Sequence, residues 1–406
     1  MSSAQRERPH YLDHAATTPM VPEAVDEMRA RLAEVGNASS LHGSGRRTRR
    51  LVEEARERLA ATVGAEPREV VFTAGGTESD NLAVKGLFWA RNRRPDRRPS
   101  RRRVLVSAVE HHAVLDAAQW LADHEGAEVD LLPVDSAGRV RVDALDDSLA
   151  TDPDGVALVS CMWVNNEVGT VQPVAEVVAT AHHHGVPGHT DAVQAVGQIP
   201  FDLGVLEADA VTLSGHKVGG PVGVGALVVR RETELVPLLH GGGQERDVRS
   251  GTVDVASVCA FAVAVELAVR RQDAQAARLR ALRDALVAGI RTVVTDAVLN
   301  GPPASAGPQA RSPGIANMGF PGCAGDDLLL LLDAARVECS TGSACTSGVP
   351  EASHVLLAMG QDEATARGSL RFSLGHDSTR ADVAAAVDAI GPAVERARAA
   401  VLARTA

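Results

Sequence analysis

The chain has 406 residues, 45% hydrophobic and only 2% aromatic, with 41 basic and 52 acidic side chains for a formal charge of −11. That length suffices for two domains and a large core, the acidic balance disfavours nucleic acid as a bulk partner, and no apolar run approaches the ~20 residues of a membrane span. The opening MSSAQRERPH contains no apolar signal segment, and the five cysteines are scattered without a CxxC pair; a disulfide framework and a zinc site are disfavoured, and a reducing cytoplasm is the expected location.

Short apolar runs alternate with helical patterns through the first part of the chain. Strands are expected at 68–73, 103–109, 127–132, 155–164, 186–192, 208–214 and 222–230, the last on a return path, with helices over 79–90 and 113–124. Such alternation predicts a mostly parallel sheet covered by helices, with its site at the carboxyl ends of the strands. The basic run RNRRPDRRPSRRR at 91–103 has no interleaved aromatic residue for stacking on bases and reads as a solvated loop. The triplet His182-His183-His184 reads as a helix end before a Gly185 cap, in preference to a metal site. Beyond about residue 250 a long alanine-rich helical stretch, 253–292, leads into a smaller unit. Its expected strands are 312–320, 336–340 and 368–374, and its helices 325–335, 352–359 and 380–402. The expected division is a large domain over 15–258 and a small C-terminal domain over 259–406, with residues 1–14 packing on the latter.

The chemistry-bearing motifs follow strand candidates. Lys217, in SGHK at 214–217, can form a Schiff base with an aldehyde, and burial would lower its pKa to suit a nucleophile and base. Asp191, in HTDAVQ, can hold a pyridine nitrogen protonated, with Gln194 three residues on. Gly75-Gly76-Thr77 joins a strand to a helix, where glycine lets the backbone approach a phosphate and free N–H groups receive it. Ser214 and His216 are further phosphate candidates, His111 can stack on a flat ring, and Asn166 can bond a cofactor or substrate oxygen. Arg371, isolated among small and apolar residues in SLRFSLG, is a candidate clamp for a substrate carboxylate. Together these groups suit pyridoxal phosphate, for which a protein supplies orientation and charge. Cys161, Cys259 and Cys339 lie in apolar elements and read as packing residues, and Cys323 lies in a turn where exposure is expected. Cys345, in STGSACTSG, stands in a loop of small residues that suits an accessible nucleophile.

The combination resembles the cysteine desulfurases, the NifS/IscS-like members of the class V aminotransferase group. Ordered matches run from YLDHAATTP (11–19) through GNASSLH, TESDNLAVKG, EHHAVL, NNEVGTVQ, TDAVQAVG, SGHKVGGPVGVGAL and HGGGQERDVRSGT to STGSACTSG and RFSLG (371–375). The resemblance implies an α/β fold of PLP-dependent fold type I, aspartate aminotransferase-like, with a mostly parallel large domain and a smaller α+β domain. It implies a homodimer that binds pyridoxal 5'-phosphate through Lys217, with Asp191 at the ring nitrogen, Gln194 at the ring hydroxyl and His111 on the ring face. Gly76, Thr77, Ser214 and His216 match phosphate contacts, and Thr252 matches one donated across the dimer. Asn166 and Arg371 match groups that hold L-cysteine, and Cys345 the residue that carries a persulfide. A sulfur-acceptor protein (an iron–sulfur scaffold, a tRNA-thiolating enzyme or a biosynthetic carrier) is expected to dock near the Cys345 loop, which resembles that of the long-loop subgroup. Three positions depart from the common pattern: Gly219 for an aromatic residue, Val222 for lysine, and Gly76 for alanine. A transaminase, a selenocysteine lyase and a non-catalytic protein of the same fold stay open as alternatives.

Overall fold

The computed structural model describes residues 8–93, 100–303, 306–307, 309–342 and 352–405. In chain order the elements begin with β1 (His10–Tyr11), α1 (Pro22–Leu32), α2 (Gly43–Val63), β2 (Val70–Thr73), α3 (Gly76–Arg91), β3 (Arg103–Ser107), α4 (His112–Glu125) and β4 (Glu128–Leu132). Next come α5 (Val142–Thr151), β5 (Val156–Ser160), α6 (Val174–His183), β6 (Gly188–Asp191), α7 (Leu203–Leu206), β7 (Ala210–Ser214) and β8 (Gly225–Val229). The chain continues through α8 (Val255–Arg270), α9 (Gln272–Val293), β9 (Val298–Asn300), β10 (Ile315–Gly319), α10 (Gly325–Ala334) and β11 (Val337–Glu338). It ends with α11 (His354–Ala358), α12 (Glu363–Arg367), β12 (Ser369–Ser373) and α13 (Arg380–Thr405).

Seven strands form the central sheet in the order β2-β8-β7-β6-β5-β3-β4. Strands β3 to β7 run parallel, while β8 returns antiparallel between β2 and β7. Strands β5, β7 and β8 are buried along their whole length, which is why they read as continuous apolar runs instead of alternating ones. The smaller unit holds an antiparallel sheet, β12-β10-β9, covered by helices. The first strand joins this unit: β1 pairs parallel with β11, and Leu12 is buried in its core.

The long helical stretch is two helices that meet at Arg271. Phe261, Ala262 and Val265 of α8 pack in the large core, whereas Leu279, Leu286 and Ile290 of α9 pack in the small one. A division at residue 258 therefore cuts a helix that belongs with the large unit; the two cores part between α8 and α9. Cys323 is buried at 7% exposure, contrary to the exposure expected of its turn, because that turn packs on α13 and the thiol lies against the Val394 carbonyl. Three described arginines of the basic run are paired, Arg101 with Asp154, Arg102 with Glu128 and Arg103 with Asp130, and Arg91 donates to the Gly185 carbonyl. His182 and His184 pair with Asp209 and Asp146 at the end of α6, where Gly185 takes a left-handed conformation. No helix among the described residues is long and apolar enough to cross a membrane, and none of their side chains group as a metal site.

Candidate active site

The carboxyl ends of β2, β3, β5, β6 and β7 converge on one cavity of about 400 Å3. It is lined by Gly76, Thr77, His111, Asn166, Asp191, Gln194, Ser214, His216 and Lys217 from the large unit, and by Arg371 from the small one. These are nearly all the residues singled out from the sequence. Thr252 is exposed and lies outside this cavity within the single chain. Cys345 lies outside the described residues; the chain is described up to Gly342, which lines the cavity, and again from Ala352.

Local sequence explains the cradle. Gly75 takes a φ of 152°, a region glycine favours, and lets the chain turn from β2 into α3. Thr73 and Ser79 brace that turn with hydroxyls 2.7 Å apart, and Glu78 accepts the Ala74 N–H. A side chain at Gly76 would meet Val193 at 3.1 Å and Ser214 at 3.5 Å, so the backbone itself forms the floor. The first N–H groups of α3, with the helix dipole behind them, give this corner the chemistry that suits an anion.

Lys217 ends a 3-10 turn after β7, and its Nζ donates to the carbonyls of Ala15 (2.6 Å) and Ala16 (2.7 Å). Burial, then the nearby Arg371 cation, lowers its pKa to about 8. Asp191 ends β6; its Oδ1 accepts the Val193 N–H at 2.8 Å. Burial raises its pKa, opposed by that N–H and by Lys217. His111 is the N-cap of α4, and its Nδ1 accepts the Ala113 N–H at 3.1 Å. Burial lowers its pKa to about 4, so the ring is neutral with its proton on Nε2. His216 is likewise held near 4 by burial, with Nδ1 3.2 Å from the Thr17 hydroxyl.

Arg371 comes from the middle of β12. Its guanidinium donates to the Asn166 carbonyl at 3.0 Å and to Asp13 Oδ1 at 2.7 Å, while its buried Nε has no partner among the described residues. Asn166 thus helps to hold Arg371 through its backbone. Sequence reasoning assigned no role to Asp13, Ala15 or Ala16, although YLDHAATTP was matched as a motif. It also missed Asp80, which lines the cavity. Of the departures, Gly219 has φ +80° and a side chain there would meet Val21 at 2.9 Å, so glycine suits the packing of α1. Val222 is exposed.

A model of the family described as aminotransferase class-V matches residues 10–385. The chain belongs to this family. It is 57% identical over 393 residues to an IscS-like cysteine desulfurase of Mycobacterium tuberculosis, covering 97% of this chain and 98% of that protein. It is 41% identical to the cysteine desulfurase IscS of Dictyoglomus turgidum over 96% of this chain and 95% of that one. Among solved structures a NifS-like protein, 34% identical, superposes with a TM-score of 0.86 over 96% of this chain and all of its own. The class V fold accounts for the arrangement above, a mostly parallel sheet that gathers its site residues at the strand ends, with a smaller unit closing over them.

Proposed function

We propose that this chain is a pyridoxal-phosphate-dependent cysteine desulfurase that converts L-cysteine to L-alanine and passes the sulfur to an acceptor protein. The observation that carries the reading is the meeting of Lys217, Asp191, His111 and Arg371 in one cavity, joined to relatives named cysteine desulfurase along nearly the whole chain.

The residues present fit the cofactor. A glycine floor and a helix N-terminus suit an anion, a buried acid and a buried amine line the same cavity, and a neutral imidazole stands at the wall. Gly76, Thr77, Ser214 and His216 would hold the phosphate, Gln194 the ring hydroxyl, and Asp191 the protonated ring nitrogen. Thr252, exposed in one chain, would be supplied to the site of a partner in a homodimer. When bound, pyridoxal phosphate supplies an electron sink for bonds broken at the substrate's α-carbon.

The protein's own groups do the rest. Arg371 takes the substrate carboxylate, its fork already aimed by Asp13 and the Asn166 carbonyl. Lys217, with its pKa near 8, is available as a neutral amine close to neutral pH and accepts the α-proton. His111 presents an Nε2–H toward the reacting atoms and can donate it. Cys345 is the sulfur acceptor: its thiolate bonds to the substrate sulfur as the C–S bond breaks, leaving a persulfide on Cys345 and alanine as the second product.

Turnover of L-cysteine with a thiol reductant tests this. Matched alanine and sulfide are expected from the native protein, with both lost in Lys217→Ala and sulfide lost in Cys345→Ala. Turnover without sulfide, or sulfide indifferent to Cys345→Ala, would replace the persulfide route with a transaminase or lyase reaction. A strong preference for selenocysteine would identify a selenocysteine lyase.

A further inference from the structure

An acidic side chain stands at the corner proposed for the cofactor's phosphate. Glu78 is the third residue of α3, directly after Thr77. Its side chain turns back over the turn between β2 and α3, where Oε2 accepts the Ala74 N–H at 2.7 Å. A carboxylate in the first turn of a helix is favourable while the helix dipole is its main electrostatic partner. Beside a phosphate it becomes a like charge, and the corner loses part of its attraction for a dianion. The acid therefore needs a cation, and a segment far along the chain supplies one.

That cation is Arg249. Its Nε donates to Glu78 Oε1 at 2.8 Å and its Nη2 to Oε2 at 3.3 Å, a forked pairing that fixes the direction of a carboxylate as well as meeting its charge. The two side chains are only 17% and 18% exposed, so salt and water screen the pair only in part. The arginine is itself held in place. Its carbonyl accepts the Glu245 N–H at 3.0 Å, and the Glu245 carboxylate takes the Arg56 guanidinium. Gln244 accepts the Gly251 N–H at 2.8 Å. Gly251 has a φ of 132°, and a side chain there would meet Arg249 Nη1 at 3.2 Å, so glycine leaves the space that the guanidinium fills.

We infer that Arg249 is a positioning residue for the cofactor's phosphate: it cancels the Glu78 charge and holds that carboxylate on the Ala74 N–H, so that the Gly75-Gly76-Thr77 corner can accept a dianion. The inference rests on the reading that this corner takes the phosphate. It separates two roles that one ion pair could have. A pair that merely clips 240–252 to α3 would matter equally for any ligand of the cavity, whereas a neutralising pair matters for a phosphate and hardly at all for the same ring without one.

Binding titrations of the full chain with pyridoxal phosphate and with pyridoxal, its analogue lacking the phosphate, test this through the absorbance of the bound ring. Arg249→Gln should weaken pyridoxal phosphate by about 10-fold, the order expected of one uncancelled charge near a dianion, and pyridoxal by less than about 3-fold. Adding Glu78→Gln to Arg249→Gln should restore most of the native affinity, because it removes the charge that Arg249 cancels. Equal losses for the two ligands, or a double variant no better than Arg249→Gln, would reduce the pair to a clip and overturn the inference. Should Arg249→Gln fail to fold, Glu78→Gln alone decides: pyridoxal phosphate should bind at least as tightly as to the native chain, and a selective loss of its affinity would overturn the inference. A native chain that binds the two ligands equally well would overturn the phosphate reading of this corner itself, and the inference with it.

Discussion

Arg371 shows what preparation of a single side chain requires. Its two bonds to Asp13 and the Asn166 carbonyl fix the plane of the guanidinium, which would limit the entropy lost in the substrate binding proposed for it. Replacement by alanine should lower kcat/KM for L-cysteine by about 10- to 150-fold, the range for a hydrogen bond to a charged group, while the cofactor's absorbance is retained. Steady-state kinetics check this, and an unchanged kcat/KM would remove Arg371 from the substrate site. Lysine keeps the charge without the fork and should recover only part of the loss. At this scale the meeting of Lys217, Asp191, His111 and Arg371 in one cavity was legible because each sits in a short, unusual local pattern. Asp13 was not, since an aspartate in an N-terminal segment gives no sign that it will meet an arginine 358 positions later.

Among elements, the segment 240–252 depends on one buried ion pair. Glu245 is 1% exposed. It accepts both Arg56 guanidinium bonds, at 2.7 and 2.8 Å, and also the N–H of Phe72 on β2, the end strand of the sheet. Glu245→Ala would leave a strand N–H unpaired and the buried Arg56 charge with only the half-exposed Glu53 and the Val70 carbonyl, a loss of about 3 kcal/mol. The exposed pair Arg398–Asp296 offers a contrast: Asp296→Ala should lose at most about 1 kcal/mol. Urea unfolding of both variants measures the difference, and equal small losses would contradict the anchoring role. The core strands could be read from their apolar runs. Helices α1 and α2 could not, because their faces carry many arginines and glutamates and only α8 packing against them reveals their buried stripe.

Across the whole molecule, burial holds a set of histidines neutral. The pKa falls from the ordinary 6.5 to about 4 for His14, His111 and His216, and to about 3 for His189. The unfolded chain takes up these protons below about 6.5 and the native chain does not until near 4, so stability is present above 6.5 and is lost as pH falls through that window. Glu110, raised to about 8 by burial, Asp191, raised to about 6 by burial, and Asp80, raised by burial and by Asp191, act in the opposite sense, because the native chain keeps protons that the unfolded chain releases. The net effect is smaller than four protons but of the histidine sign. The urea midpoint should therefore decline between about pH 6.5 and 4, and a flat midpoint would show that these histidines are not held neutral.

Sequence alone determined the α/β class, the mostly parallel sheet and the polar residues that meet in one cavity at its strand ends. Those follow from local apolar periodicity and from motifs a few residues long, which survive any detail of packing. Tertiary structure decided the rest: that α8 belongs to the large unit, that Asp13 aims Arg371, that Cys323 is buried, and that Glu110, Ser160, His189 and Thr212 join by hydrogen bonds across the sheet. Each of these depends on which surfaces are pressed together across tens to hundreds of residues, and a buried charge or proton takes its value from those neighbours.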